Sequence, residues 1–304
     1  MRPLLSAWTR ATWRGGGVRA RGAVAGGARH VHQIAREGFA TSEAYERGRP
    51  SYPPCALQLL DHLLPSGPLE LLDLGAGTEK WTMELLKYLH TSTAEVVIHA
   101  VEPSDGFRQR LQQNLSTRGR AAAERPPNLR VEVCEGDAQS LQSFGAKRMD
   151  GVFVATAFHW FATPEVLESI YQVLKDAGWL YLIWNVPLYY DLPQDRAHYD
   201  LKEHEALFLT ALKKEVVNIY HDQSTMEVKD YNYKAKKSDI LKLVNDFGKF
   251  GHANRYQTFY NSLQQVGDVD MVIQRILSTS SFNRRSDLEK DQVKEMIKES
   301  IFRI

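Results

Sequence analysis

The chain has 304 residues, 43% hydrophobic and 25% charged, a balance that excludes disordered, collagen-like and coiled-coil classes and suffices for one large domain or two small ones. Its two cysteines, Cys55 and Cys134, stand far apart with no CxxC or Cys/His cluster, which excludes a disulfide framework and argues against a bound metal. Seven arginines and no Asp, Glu or Lys fall within residues 1–36, so the remaining 31 Lys+Arg face all 37 Asp+Glu, about −6 behind a formal total of +1; a body that acidic offers no electrostatic basis for nucleic-acid binding.

Residues 1–36 are rich in Ala, Gly and Arg, with Trp8 and Trp13 in a stretch (Leu4–Trp13) that can form a short amphipathic helix. This is the composition of a mitochondrial presequence, so the matrix is the expected location; an untargeted tail on a cytoplasmic protein is the alternative. No run reaches 18 consecutive apolar residues, so no transmembrane helix is expected.

From Ala40 the pattern alternates short apolar runs with helical periods. Thr41–Pro54 reads as a helix turn followed by extended chain. Residues 55–64 read as a helix stopped by Pro65, Gly67 and Pro68. Leu69–Leu74 reads as a buried strand, Glu79–His90 as a helix and Glu95–Val101 as a second strand. Ser104 opens a helix to about Thr117, and Arg118–Asn128 is a loop. Leu129–Val133 and Gly151–Ala155 read as strands, Pro164–Leu174 as a helix with proline in its first turn, and Trp179–Trp184 as a fifth strand. Strands alternating with helices of this length predict βαβ units: an α/β, Rossmann-like, mostly parallel sheet with helices on both faces. Beyond Asn185 only helical segments follow, near 199–219, 237–247, 268–278 and 287–302. The expected organisation is a presequence-like segment at 1–36, a nucleotide-binding domain at 37–186, a helical cap over the substrate site at 187–260, and C-terminal helices at 261–304 that pack back on the core.

The chemistry concentrates in Leu71-Leu72-Asp73-Leu74-Gly75-Ala76-Gly77-Thr78-Glu79-Lys80. An apolar strand runs straight into a glycine turn that opens a helix, where backbone N–H groups can face a ligand. Glu102 follows Gly75 by 27 residues at the end of the next strand, where a carboxylate can accept both ribose hydroxyls. Asp137, in Glu135-Gly136-Asp137-Ala138, puts another acid at the lip of the same crevice. Lys80 stands where a dinucleotide fold wants its third glycine, and no phosphate-loop Gly-Lys-Ser/Thr is present. S-adenosylmethionine (SAM) has no pyrophosphate and carries positive charge, so Asp73, Glu102 and Asp137 suit it.

The chain resembles the class I SAM-dependent methyltransferases, in particular the small-molecule group of trans-aconitate methyltransferase-like proteins. The resemblance rests on Tyr45 with Arg49-Pro50-Ser51-Tyr52-Pro53, Leu72–Thr78, Val101-Glu102-Pro103-Ser104, Gly136-Asp137-Ala138, Ala157-Phe158-His159-Trp160-Phe161, Val173-Leu174-Lys175 and Trp184-Asn185. It implies that Gly75-Ala76-Gly77 passes under the methionine part of SAM and that Glu102 holds the ribose. It also implies that Asp137-Ala138 flanks the adenine, that Ala157–Trp160 lines the join between cofactor and acceptor, and that Tyr45 closes the site. Two departures stand out. Relatives carry glycine where this chain has Glu79, whose charge would cost on the order of 1 kcal/mol beside SAM's carboxylate, or little if it turns outward. Relatives also continue into two more strands, so the C-terminal strands are expected to be missing.

His159 reads either as a general base or as a pocket wall residue. Phe158, Trp160 and Trp184 read as substrate-pocket residues or as core packing, and Asn185 as an acceptor contact or a turn cap. The expected activity is O-methylation of a small-molecule carboxylate or hydroxyl. The alternative is a catalytically weak methyltransferase-like binding or assembly protein.

Overall fold

The computed structural model describes residues 49, 51–52, 54–58, 60–117, 126–185, 233–250, 270, 273–274 and 286–302. Residues 1–48, Tyr45 among them, all of 186–232 and most of 251–285 lie outside the described residues.

Two short helices, α1 (Pro54–Gln58) and α2 (Leu60–Leu63), lead into β1 (Leu69–Leu74), α3 (Lys80–Leu89), β2 (Val96–Glu102), α4 (Asp105–Thr117) and β3 (Leu129–Glu135). A 3₁₀ turn at Leu141–Phe144 precedes β4 (Met149–Ala155), a second at Phe158–Trp160 follows it, and α5 (Pro164–Val173), β5 (Leu174–Ile183), α6 (Tyr233–Phe247) and α7 (Asp287–Phe302) complete the described elements. The strands form one parallel sheet in the order β3-β2-β1-β4-β5. Chain order reverses beside β1, and that switch point opens a crevice at the carboxyl ends of β1 and β4.

Both sheet faces are covered, which is why β1 reads as a continuous apolar run. Leu72, Leu74, Val152 and Val154 point to one face and join Val166, Leu167 and Ile170 of α5 with Ile240 and Val244 of α6. The alternate residues Leu69, Leu71, Ile98 and Phe153 point to the other and pack with Leu57, Leu60, Trp81 and Leu85. Ala100 and Leu111 extend that second face under α4. Pro164 fits the first turn of α5, whose N-cap Thr163 accepts a hydrogen bond from the Val166 N–H at 3.3 Å.

The sequence-predicted elements appear with shifted ends. β5 begins at Leu174 rather than Trp179, directly from the helix. Its first stretch pairs only through Leu174 with Met149 and then bulges, resuming where Trp179 faces Gly151. Charged Lys175-Asp176 and Gly178 hide that stretch from a pattern reading. Gly178 is needed there: a Cβ would lie 2.9 Å from the Met149 carbonyl oxygen and 2.9 Å from Leu174 Cδ2. Of the segment expected as a cap, Tyr233–Phe247 packs on α5, and Lys249 pairs with Glu168 of that helix at 2.6 Å. In the C-terminal segment Val293 is fully buried. No helix among the described residues is long and apolar enough to cross a membrane.

Candidate active site at the switch point

β1 delivers the chain into a turn at Gly75, where the N–H groups of Gly75 and Ala76 both donate to the Val101 carbonyl, at 2.8 and 3.0 Å. Gly75 has φ +75°, and a Cβ there would lie 2.8 Å from Ala157 Cβ, so only glycine fits against the β4 turn. Gly77, at φ +62°, faces open space instead. The loop is tied from α4 by buried Asn114, whose Nδ2 donates to the Thr78 carbonyl at 3.1 Å.

Glu102 ends β2, almost wholly buried. Its Oε2 accepts the Gly77 N–H at 3.0 Å and its Oε1 the Ser104 N–H at 2.9 Å. Burial pushes its carboxyl above the usual range, while the Ser104 and Gly77 N–H groups and the Arg108 guanidinium pull the other way. A carboxylate has about four lone-pair positions, so Glu102 can hold the loop and still accept hydroxyl donors. Arg108 donates to the Glu102 and Pro103 carbonyls at 3.0 and 2.8 Å, fixing the end of β2.

Asp73 sits fully buried beneath this loop rather than in the cleft lining. Its Oδ2 accepts from Thr82 Oγ1 at 2.6 Å, while Oδ1 has no hydrogen-bond partner. Burial pushes its carboxyl up to about 7; the Thr82 hydroxyl opposes the rise and the Glu102 charge adds to it.

Glu79 departs most from expectation. It is fully buried, directly before α3, with φ +126° and ψ −15°, backbone geometry that side-chain-bearing residues rarely adopt. Its side chain neither turns outward nor joins the cleft lining. The expected repulsion of a cofactor carboxylate therefore gives way to a different burden, a strained backbone under the loop.

A cleft opens over the glycine turn, lined by Gly75–Thr78, Lys80 and Trp81 on one side. Arg49, Tyr52, Ala155, Thr156 and Asn185 line the other. Tyr52 is clasped to the end of β4 by a 2.9 Å hydrogen bond between its hydroxyl and Thr156 Oγ1. Ser51 donates through Oγ to Glu84 at 2.6 Å and accepts Asn185 Nδ2 on its carbonyl at 3.0 Å. Trp81 forms the floor, edge-on to Tyr52 at 5.1 Å and stacked on Tyr181 at 5.6 Å. The buried Thr78 Oγ1 and Trp81 Nε1 have no hydrogen-bond partner.

The structure thus brings Gly75, Ala76, Gly77 and Asn185 together in the cleft lining, while Glu102 and Ala157 lie behind it, against Gly77 and Gly75. Asp137, half-buried, bonds locally: its Oδ1 accepts the Gln139 N–H at 2.9 Å and its N–H donates to Ser140 Oγ at 3.0 Å. Ala138 joins the core. Phe158 is a core residue, fully buried and edge-to-face with Phe161 at 5.7 Å. His159 stays outside the cleft lining, its Nδ1 accepting from Trp184 Nε1 at 3.4 Å and its ring 4.8 Å from Trp160. Tyr45 lies outside the described residues. Sequence reasoning missed Arg49, Tyr52, Lys80, Trp81 and Thr156 as lining residues. Arg49 and Tyr52 stand in the Arg-Pro-Ser-Tyr-Pro run and were legible there, whereas Thr156 carries no local signal.

Residues 72–182 match a family model described as a methyltransferase domain. The chain is 36% identical over 146 residues to an uncharacterized methyltransferase of Mycobacterium tuberculosis (strain ATCC 25618 / H37Rv), covering 47% of this chain and 49% of that protein. It is 32% identical over 143 residues to an uncharacterized methyltransferase of Schizosaccharomyces pombe (strain 972 / ATCC 24843), covering 47% and 49%. The chain therefore spans about half the length of these curated relatives. A solved SAM-dependent methyltransferase from Aquifex aeolicus superposes with a TM-score of 0.34 at 16% identity, over 50% of this chain and 71% of that one. The match over residues 72–182 is to a methyltransferase domain, and the methyl donor such a domain implies is SAM.

Proposed function

We propose that the chain is a SAM-dependent methyltransferase that methylates an oxygen of a small molecule, a carboxylate ahead of a hydroxyl. The observation that carries this reading is Glu102, held by the Gly77 and Ser104 N–H groups at the switch point with lone pairs to spare. The residues present fit the donor: Gly77 leaves open space over the loop, and no third glycine or phosphate loop prepares the site for a pyrophosphate. Glu102 would hold the ribose, and Gly75–Gly77 would pass beneath the amino-acid end. The trans-aconitate-like subgroup belongs to the same proposal and rests on the motif resemblance.

When bound, SAM supplies an electrophilic methyl group on a sulfonium; the oxygen's lone pair forms the new C–O bond as the C–S pair leaves on sulfur. The chain's work is alignment and exclusion of water. Trp81, Tyr52 and Ala155 supply apolar wall, and the 49–52 strap, pinned through Asn185, Thr156 and Glu84, closes one side. Among the described lining residues there is no His, Asp or Glu. A carboxylate is already anionic at neutral pH and needs no base, whereas a hydroxyl would need one. That contrast favours the carboxylate, and His159, bonded to Trp184 outside the described lining, is better read as a packing residue.

The catalytically weak alternative has one specific support, the strained and buried Glu79 in the cofactor loop. The Arg-rich segment 1–36 is proposed as a mitochondrial address on composition alone.

Incubation of the full chain with tritium-labelled SAM and succinate, citrate, trans-aconitate or 4-hydroxybenzoate tests the assignment. Label recovered in a base-labile ester is the expected result. SAM binding without transfer to any of these acids would favour the weak alternative.

A further inference from the structure

We propose that Thr156 is the residue that holds the methyl acceptor, through an oxygen of its anionic group, and that Tyr52 is the positioning residue that orients it. This rests on the methyltransferase reading above and assigns its acceptor side.

Thr156 follows β4 with φ +55°. Positive φ is an outlier for a β-branched residue, and such strain persists where the surroundings over-determine it. Here the Thr156 N–H donates to the Ile183 carbonyl at 2.7 Å, locking the ends of β4 and β5 together. Glycine or asparagine would satisfy that backbone at less cost. What threonine adds is its hydroxyl. Thr156 lines the cleft, and its hydroxyl makes a 2.9 Å hydrogen bond to the Tyr52 hydroxyl, across 104 residues of sequence. A hydroxyl donates one hydrogen bond and accepts two, so with the Tyr52 O–H donating to Thr156 Oγ1 the threonine keeps its own proton to donate to an anionic oxygen.

Arg49 and Lys80 stand among the described lining residues, and the anionic class of the ligand follows from the carboxylate acceptor proposed above. The next residue, Ala157, touches the glycine turn: its Cβ would be 2.8 Å from a Cβ at Gly75. Thr156 therefore stands beside the expected amino-acid end of the cofactor, on the wall opposite the glycine loop, where an acceptor must be aligned.

The test uses the full chain, whichever of the four acids above the wild type methylates, and S-adenosylhomocysteine (SAH) as binding probe. Thr156→Gly removes the hydroxyl and relieves the backbone, so its Tm should equal or exceed the wild type while its acceptor KM rises about tenfold or more, the scale of a lost hydrogen bond to a charged group. SAH affinity should be unchanged, Thr156→Ser should restore KM, and Tyr52→Phe should raise KM less. An unchanged acceptor KM in Thr156→Gly overturns the proposal and leaves the methyltransferase assignment standing. Weakened SAH binding in the same variant also overturns it, by giving the hydroxyl to the cofactor. A wild type that binds SAH but methylates none of the acids removes the anionic oxygen acceptor on which the proposal depends, and one that does not bind SAH removes the methyltransferase reading itself.

Discussion

Glu79 and Asp73 lie under the same loop and make opposite demands on it. At φ +126°, Glu79 holds a conformation that glycine takes without penalty, and about 1–3 kcal/mol of strain is recoverable there. From sequence alone, glycine at this position is expected to loosen the helix start by several tenths of a kcal/mol. The structure reverses that sign, because Glu79 precedes the helix and is not helical. Glu79→Gly should raise Tm, by about 2–4 °C per kcal/mol recovered. A lower Tm, measured side by side with the wild type, would contradict the strain. Asp73 brings a pH dependence. Its carboxyl is pushed up to about 7 by burial, above its unfolded value of about 3.9, so the folded state holds the proton more tightly. Its contribution to stability is fully present below about pH 4 and is lost as pH rises to about 7, a span of up to about 4 kcal/mol. Asp73→Asn keeps an acceptor for Thr82 and should flatten urea-unfolding stability between about pH 5 and 8. An equally steep decline in the variant would place the dependence elsewhere.

Among the elements, α4 governs the loop through one contact. Asn114 is the buried tie between that helix and the Thr78 carbonyl. Asn114→Ala would leave the carbonyl without this donor, costing about 1–3 kcal/mol. Part of that loss should appear as weaker SAH binding; undiminished affinity in a destabilised variant would show the loop holding its shape unaided. The same scale explains what could be read beforehand. β1 and the glycine turn were legible because a strand covered on both faces is apolar throughout and ends where Gly75 is required. The start of β5 was not, since Lys175-Asp176-Ala177-Gly178 has the composition of a turn and becomes strand only through a bulge against β4. Glu102 was legible from its spacing, but its bonds to the loop were not, and Phe158 was misplaced because aromatic residues line pockets and fill cores alike. Thr156 was invisible, because its backbone is set by β5 and its hydroxyl by Tyr52, both distant in sequence.

For the whole molecule, the Arg-rich first 36 residues are proposed as an address separate from the acidic body. Residues 1–30 fused to a fluorescent reporter should direct it to mitochondria, and Arg→Glu changes there should abolish import. Diffuse cytosolic signal from both forms would remove the address reading. The central claim is that the crevice beside β1 is built for SAM through Glu102. Calorimetric titration of the full chain with SAH and with NAD, repeated on Glu102→Ala, tests it most directly. The account predicts saturable SAH binding, no comparable NAD binding, and a loss of about 2 kcal/mol in the still-folded variant. Saturable NAD binding with no response to SAH, or SAH affinity untouched by Glu102→Ala, would contradict it.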